Sequence, residues 1–133
     1  MTRWQKVLLV WFAILVLAIL NGQVRELALA PLLGPTGARF ASGVTLSAII
    51  FVMACLAAPW IGRSTARQWW GIGFAWLALT LMFEFGIGYA QHQDVSRLLA
   101  AYTFEGGNIW PVVLLAALVS PYFAARLRNQ VLA

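Results

Sequence analysis

Apolar residues in this chain come in long runs, not in the short alternations of half-buried strands. Four runs approach the roughly 20 residues an α-helix needs to cross a 30 Å hydrocarbon layer. They cover about 4–30, 41–61, 69–89 and 108–125. The first has a purely apolar part, 7–20, that is too short alone. It must continue through Asn21, Gly22, Gln23, Val24, Arg25 and Glu26, and Pro31 is a natural stop. Gly34, Pro35 and Gly37 mark the loop before the second run, and Pro59 lies near its end. Pro111 falls in the first turn of the fourth, where backbone N–H groups lack helical partners anyway.

Between the third and fourth runs the period changes. Val95, Leu98, Leu99 and Tyr102 are spaced i, i+3, i+4, i+7, and Asp94 is a good N-cap. The segment 94–104 therefore predicts a short amphipathic helix lying on a membrane surface or on the bundle. The expected architecture is an all-α integral membrane protein. A single domain, 1–133, forms a four-helix transmembrane bundle with this interfacial helix in its second external loop.

Composition agrees. Of 133 residues, 62% are hydrophobic and 10% charged, against about 25% charged in a soluble domain. Such a chain cannot cover a water-facing surface. The net charge of +5 would suggest nucleic acid in a soluble protein, but here it reads as topology. Arg3, Lys6, Arg63, Arg67, Arg126 and Arg128 fall on one side of the spans. Arg25, Arg39 and Arg97 fall on the other, with all four acids, Glu26, Glu84, Asp94 and Glu105. The positive-inside rule puts both termini in the cytoplasm and the long loops outside. The first run has the basic start and apolar middle of a signal peptide, with Ala28-Leu29-Ala30 as a cleavage motif. Pro31 directly after the cut, and the charges at Arg25 and Glu26, argue for retention. Cys55 has no intrachain partner and reads as a small buried apolar residue.

Glu84 is the chemically informative residue. A carboxylate at the centre of a membrane helix costs roughly 2.5–3.5 kcal/mol, less toward an end, so it should have a partner or a task. Thr80, Glu84, Gly88 and Gln91 make a polar or small stripe on the third run. Asn21 and Arg25 share a face of the first run, and Ser42, Thr45, Glu105 and Asn108 begin at the same outer level. The inner half of each run is apolar. Arg25 is the expected partner of Glu84, because a guanidinium binds a carboxylate bidentately and keeps its proton. The candidate ligand-binding residues are Glu84, Arg25, Glu26, Asn21 and Asn108. A structural lock fixing helix register explains the same residues. His92 alone cannot hold a metal, and no serine has a histidine suited to a triad. Phosphate-loop, paired-cysteine and dinucleotide motifs are lacking, so no catalytic residue, metal or cofactor is assigned. Trp60, Trp69, Trp70 and Tyr122 match an inner aromatic belt, and Asn108 and Trp110 read as a helix cap and an outer interface residue. A shift of 62 or 63 residues lays Asn21 on Glu84, Gly43 on Gly106 and Pro59-Trp60 on Pro121-Tyr122. Helical hairpins with proline near their ends look alike, and this explains the match better than a parallel repeat does.

Asn21-Gly22, Arg25-Glu26, Ser42-Gly43, Phe83-Glu84-Phe85 and Trp110-Pro111 together resemble a group of uncharacterised small four-span bacterial proteins. The resemblance spans most of the chain. It implies a bacterial inner-membrane protein and no particular activity. The chain is also similar in size to small multidrug-resistance transporters. Those carry their key carboxylate in the first helix, where this chain has Asn21, so that assignment is rejected. Three functions compete. The leading one is an outward-facing intramembrane site, Glu84 with Arg25, that binds a small molecule or ion and serves transport. The second is a non-enzymatic accessory subunit of a larger membrane complex. The third is a lipid-active enzyme at the outer leaflet, with Glu84 or Glu26 as general base and 94–104 as a lid. It lacks a nucleophile and a metal, and a non-enzymatic role is preferred. Expected partners are the lipid bilayer and either further copies of the chain or a larger membrane protein, not nucleic acid.

Overall fold

A computed structural model describes residues 2–90 and 109–132. The helix expected at 94–104, together with His92, Arg97, Glu105 and Asn108, lies outside the described residues. Helix α1, Arg3–Val24, starts at a capping box. The Gln5 N–H donates to the Thr2 hydroxyl (3.2 Å), and the Thr2 N–H donates to Gln5 Oε1 (2.9 Å). Val7, Val10, Trp11 and Ile14, at helical spacing, turn its inner face to the core.

The backbone then widens. Arg25–Leu29 is π-helical, and the Ala30 N–H reaches back five residues to the Arg25 carbonyl. Helix α2, Ala30–Ile61, follows without a loop. The stop expected at Pro31 is thereby corrected, while the break expected at Gly34, Pro35 and Gly37 is present at Gly34. Pro31 occupies the first turn of α2, where its missing N–H costs little. Its ring would crowd the carbonyl four residues back in a regular α-helix, and the wider π turn precedes it. The real break is Gly34, at φ 78° and ψ 167°. That left-handed φ suits glycine and strains any other residue. It separates two apolar stretches, Arg3–Gly34 and Thr36–Ile61.

A second capping box opens α3, Ala66–Ala90, earlier than the apolar run suggested. Gln68 N–H donates to Thr65 Oγ1 (3.2 Å), and Thr65 N–H donates to Gln68 Oε1 (2.9 Å). Helix α4, Trp110–Leu127, begins after Ile109, with Pro111 in its first turn as expected. It ends in a Schellman motif. The Gln130 N–H donates to the Ala125 carbonyl (2.7 Å) and the Asn129 N–H to the Arg126 carbonyl (3.3 Å). Asn129 takes the left-handed position at φ 56°, which asparagine tolerates better than most residues. The turn sends the chain back so that β2, Val131–Leu132, pairs in parallel with β1, Ser64–Thr65.

The described residues are thus almost wholly helical. Arg3–Gly34, Thr36–Ile61 and Ala66–Gly86 are long and apolar enough to cross a membrane, while the apolar helix Pro111–Leu127 is shorter. Helix α4 packs on both α2 and α3. A Cβ on Gly73 would collide with the Leu118 carbonyl, and one on Gly43 with the Ile109 side chain. Helices α1 and α3 are joined by tryptophans. Trp76 Nε1 donates to the Val7 carbonyl (3.2 Å), and Trp11 Nε1 donates to Thr80 Oγ1 (3.1 Å). Trp69 is 1% exposed and donates to the Gln130 carbonyl at 3.1 Å. It belongs to the core and not to the belt expected for it. Trp60, half exposed, fits the belt better, with Lys6 Nζ 5.4 Å from its ring centre. The outer faces are apolar: Leu8, Phe12, Val16 and Ile19 on α1, Val52 and Leu56 on α2, and Phe74 and Met82 on α3 are exposed.

Candidate functional site

The polar residues of α1 and α2 meet at the end of the bundle opposite the capping boxes. The Ser42 hydroxyl donates to Asn21 Oδ1. Ser42 is buried at 3% exposure, and Asn21 is half-buried. The contact exists because the α1–α2 hairpin returns through the π segment and Gly34 with these two residues level. It leaves the Asn21 amide N–H groups as donors.

Arg25 stands one turn above Asn21, at the first residue of the π segment, and is half-buried. Its guanidinium folds back toward Gly22, with one nitrogen 3.8 Å from where a Cβ on Gly22 would stand. A helical side chain leans toward its N-terminus, so this is the expected direction, and it brings Arg25 toward Asn21. Glu26 is the next π residue. Asn108 lies outside the described residues.

Glu84 is half-buried on α3, one turn beyond Thr80. The Trp11–Thr80 contact links the two helices. At 1.5 Å per residue, Glu84 is roughly 6 Å along α3 from that contact, and Arg25 roughly 21 Å along α1 from it. A direct pair between Arg25 and Glu84 would have to bridge this stagger. Thr80 serves the framework, since its hydroxyl also donates to the Trp76 carbonyl at 2.8 Å. Thr45 and Ser47 donate to carbonyls of their own helix, at Ala41 (2.8 Å) and Gly43 (2.9 Å), a local bond that leaves them little to offer a ligand.

Sequence reasoning noticed Ser42 but left it out of the site. Among the described residues no group of three His, Cys, Asp or Glu side chains could hold a metal. The arrangement is a donor-rich cluster, Arg25, Asn21 and Ser42, with Glu84 as a separate acceptor deeper on another helix. No protein-family model, curated protein or solved structure matches the chain.

Proposed function

We propose that the protein is a four-span bacterial inner-membrane protein with both termini in the cytoplasm, and that its outer end binds a small polar molecule or ion. The observation that carries this reading is a double departure from α geometry. The π segment Arg25–Leu29 and the break at Gly34 flank the Asn21–Ser42 contact within otherwise apolar helices. Single π turns recur at functional sites, and broken helices in membranes are tolerated where they line a cavity.

Depth supports it. Twenty residues from Lys6 span about 30 Å, so the hydrocarbon layer ends near Arg25. The Trp11–Thr80 contact sets α3 against α1 so that Glu84 lies roughly 15 Å short of Arg25 along the bundle. Arg25 then sits near the outer interface, where charge is cheapest and a ligand can enter from water, with Glu84 deeper. Arg25 and the Asn21 amide suit a carboxylate or other anion, and Glu84, deeper on α3, suits a cationic group that moves inward from there. The exposed apolar outer faces of the helices are what lipid tails would cover.

A thermal-shift screen of small anions, cations and amino-acid-like zwitterions on the detergent-solubilised protein tests the site. A ligand at a hundred times its Kd should stabilise the wild type by about 2.7 kcal/mol. Arg25→Gln should abolish that shift and Glu84→Gln weaken it. Equal shifts in wild type and both variants would reject the site.

A further inference from the structure

The other end of the bundle carries a second surface that this function does not use. Arg3, Lys6, Arg63, Arg67, Arg126 and Arg128 all gather there, near the ends of α1, α2, α3 and α4. Among them is no acidic residue; all four in the chain lie at 26, 84, 94 and 105. Helices α1 and α3 both start at this end, and Arg3, Lys6 and Arg67 stand against the positive ends of their dipoles. That placement is unfavourable unless negative charge lies outside the protein. The Arg3 Nε is buried without a hydrogen-bond partner, a donor for which the described residues supply no acceptor.

One part of this surface is concave. Tyr122, Arg126, Asn129, Val131 and Leu132 line a shallow, open cleft of about 370 Å3. The Schellman turn at Asn129 and the pairing of β2 with β1 form its wall. Arg126 Nη1 donates to the Tyr122 hydroxyl at 3.2 Å, which uses one of five guanidinium N–H donors. The negative end of the α4 dipole opposes an anion here, but its last carbonyls already accept from Arg128, Asn129 and Gln130. Val131 and Leu132 give the cleft an apolar side. On the other flank Trp70 stacks on Tyr122, ring centres 5.1 Å apart, beside the exposed Phe123.

A cation and a hydroxyl next to apolar walls match a phosphate diester attached to hydrocarbon. Free phosphate would leave the apolar side without a role. We infer that this cleft binds the headgroup phosphate of an anionic glycerophospholipid in the cytoplasmic leaflet, with Arg126 as its principal contact. The inference rests on the membrane reading above but not on the outer site.

The test uses wild type, Arg126→Gln, Arg126→Lys and Arg63→Gln, each reconstituted in nanodiscs of equal phosphatidylglycerol and phosphatidylcholine. The protein is released into mild detergent, and retained lipid is counted by native mass spectrometry. Wild type and Arg63→Gln should retain phosphatidylglycerol over phosphatidylcholine by about tenfold, the worth of a hydrogen bond to a charged group. Arg126→Gln should lose the preference, and Arg126→Lys should keep part of it. Equal loss in Arg63→Gln and Arg126→Gln would mean a diffuse charge field and overturn the site. So would unchanged retention in Arg126→Gln, or displacement by millimolar inorganic phosphate. A wild type that stays soluble without detergent would instead sink the membrane reading.

Discussion

Two glycines two positions apart on α3 face opposite surroundings. A Cβ on Gly73 would meet the Leu118 carbonyl of α4, whereas one on Gly71 would meet nothing within 4 Å. Gly73→Ala should therefore force α3 and α4 apart and cost about 1–3 kcal/mol or more, as overpacking does. Gly71→Ala should be neutral or stabilising by up to about 1 kcal/mol, since alanine is the better helix former. Unfolding titrations of the two variants in one detergent would separate them. Ser42→Ala should cost about 0.6 kcal/mol, the average for an interhelical polar contact in a membrane, so a larger loss of ligand binding would report a role beyond packing. At this scale the sequence exposed the costly residues well. Glu84, Arg25 and Asn21 stand out because an apolar setting makes any polar group conspicuous. It named Ser42 and Trp69 but not their contacts, which depend on which residues end up level across a hairpin and a helix pair, something no local pattern encodes.

The elements show where local reading succeeds and where it fails. Two Thr-x-x-Gln capping boxes, at Thr2 and Thr65, start α1 and α3. They are 63 residues apart, the shift that lays Asn21 on Glu84. The internal similarity thus extends to helix starts that hydrophobicity alone did not reveal. The break signalled by Gly34, Pro35 and Gly37 was legible, and the structure has it at Gly34. The stop at Pro31 does not occur, because a π turn carries the helix up to and past that proline. Gly34→Ala should accordingly cost roughly 1–2 kcal/mol from backbone conformation alone, as nothing crowds its Cβ. Truncation after Arg128 should lower the melting temperature more than an exposed tail warrants. It removes the Gln130 carbonyl that accepts from Trp69 Nε1 and from the Ser64 N–H (3.0 Å), and the β1–β2 pair.

For the whole molecule, the pattern of apolar runs was enough to anticipate an all-helical chain with spanning-length helices, because each run must bury its backbone within itself. The packing order was not legible, since exposed and helix-facing positions are both apolar. Small residues at Gly43 and Gly73 decide it. The account holds that the chain is polarised: a basic end with two helix starts in the cytoplasm, and a polar, bent end open to the outside. Cysteine labelling tests this most directly. In a Cys55→Ala background, cysteine is placed at Thr36, exposed beyond the break at Gly34, or at Gln5, and intact spheroplasts are treated with a membrane-impermeant maleimide. Thr36→Cys should be labelled from outside and Gln5→Cys only after permeabilisation. Labelling of Gln5→Cys in intact cells, or protection of Thr36→Cys until the membrane is opened, would contradict this polarity.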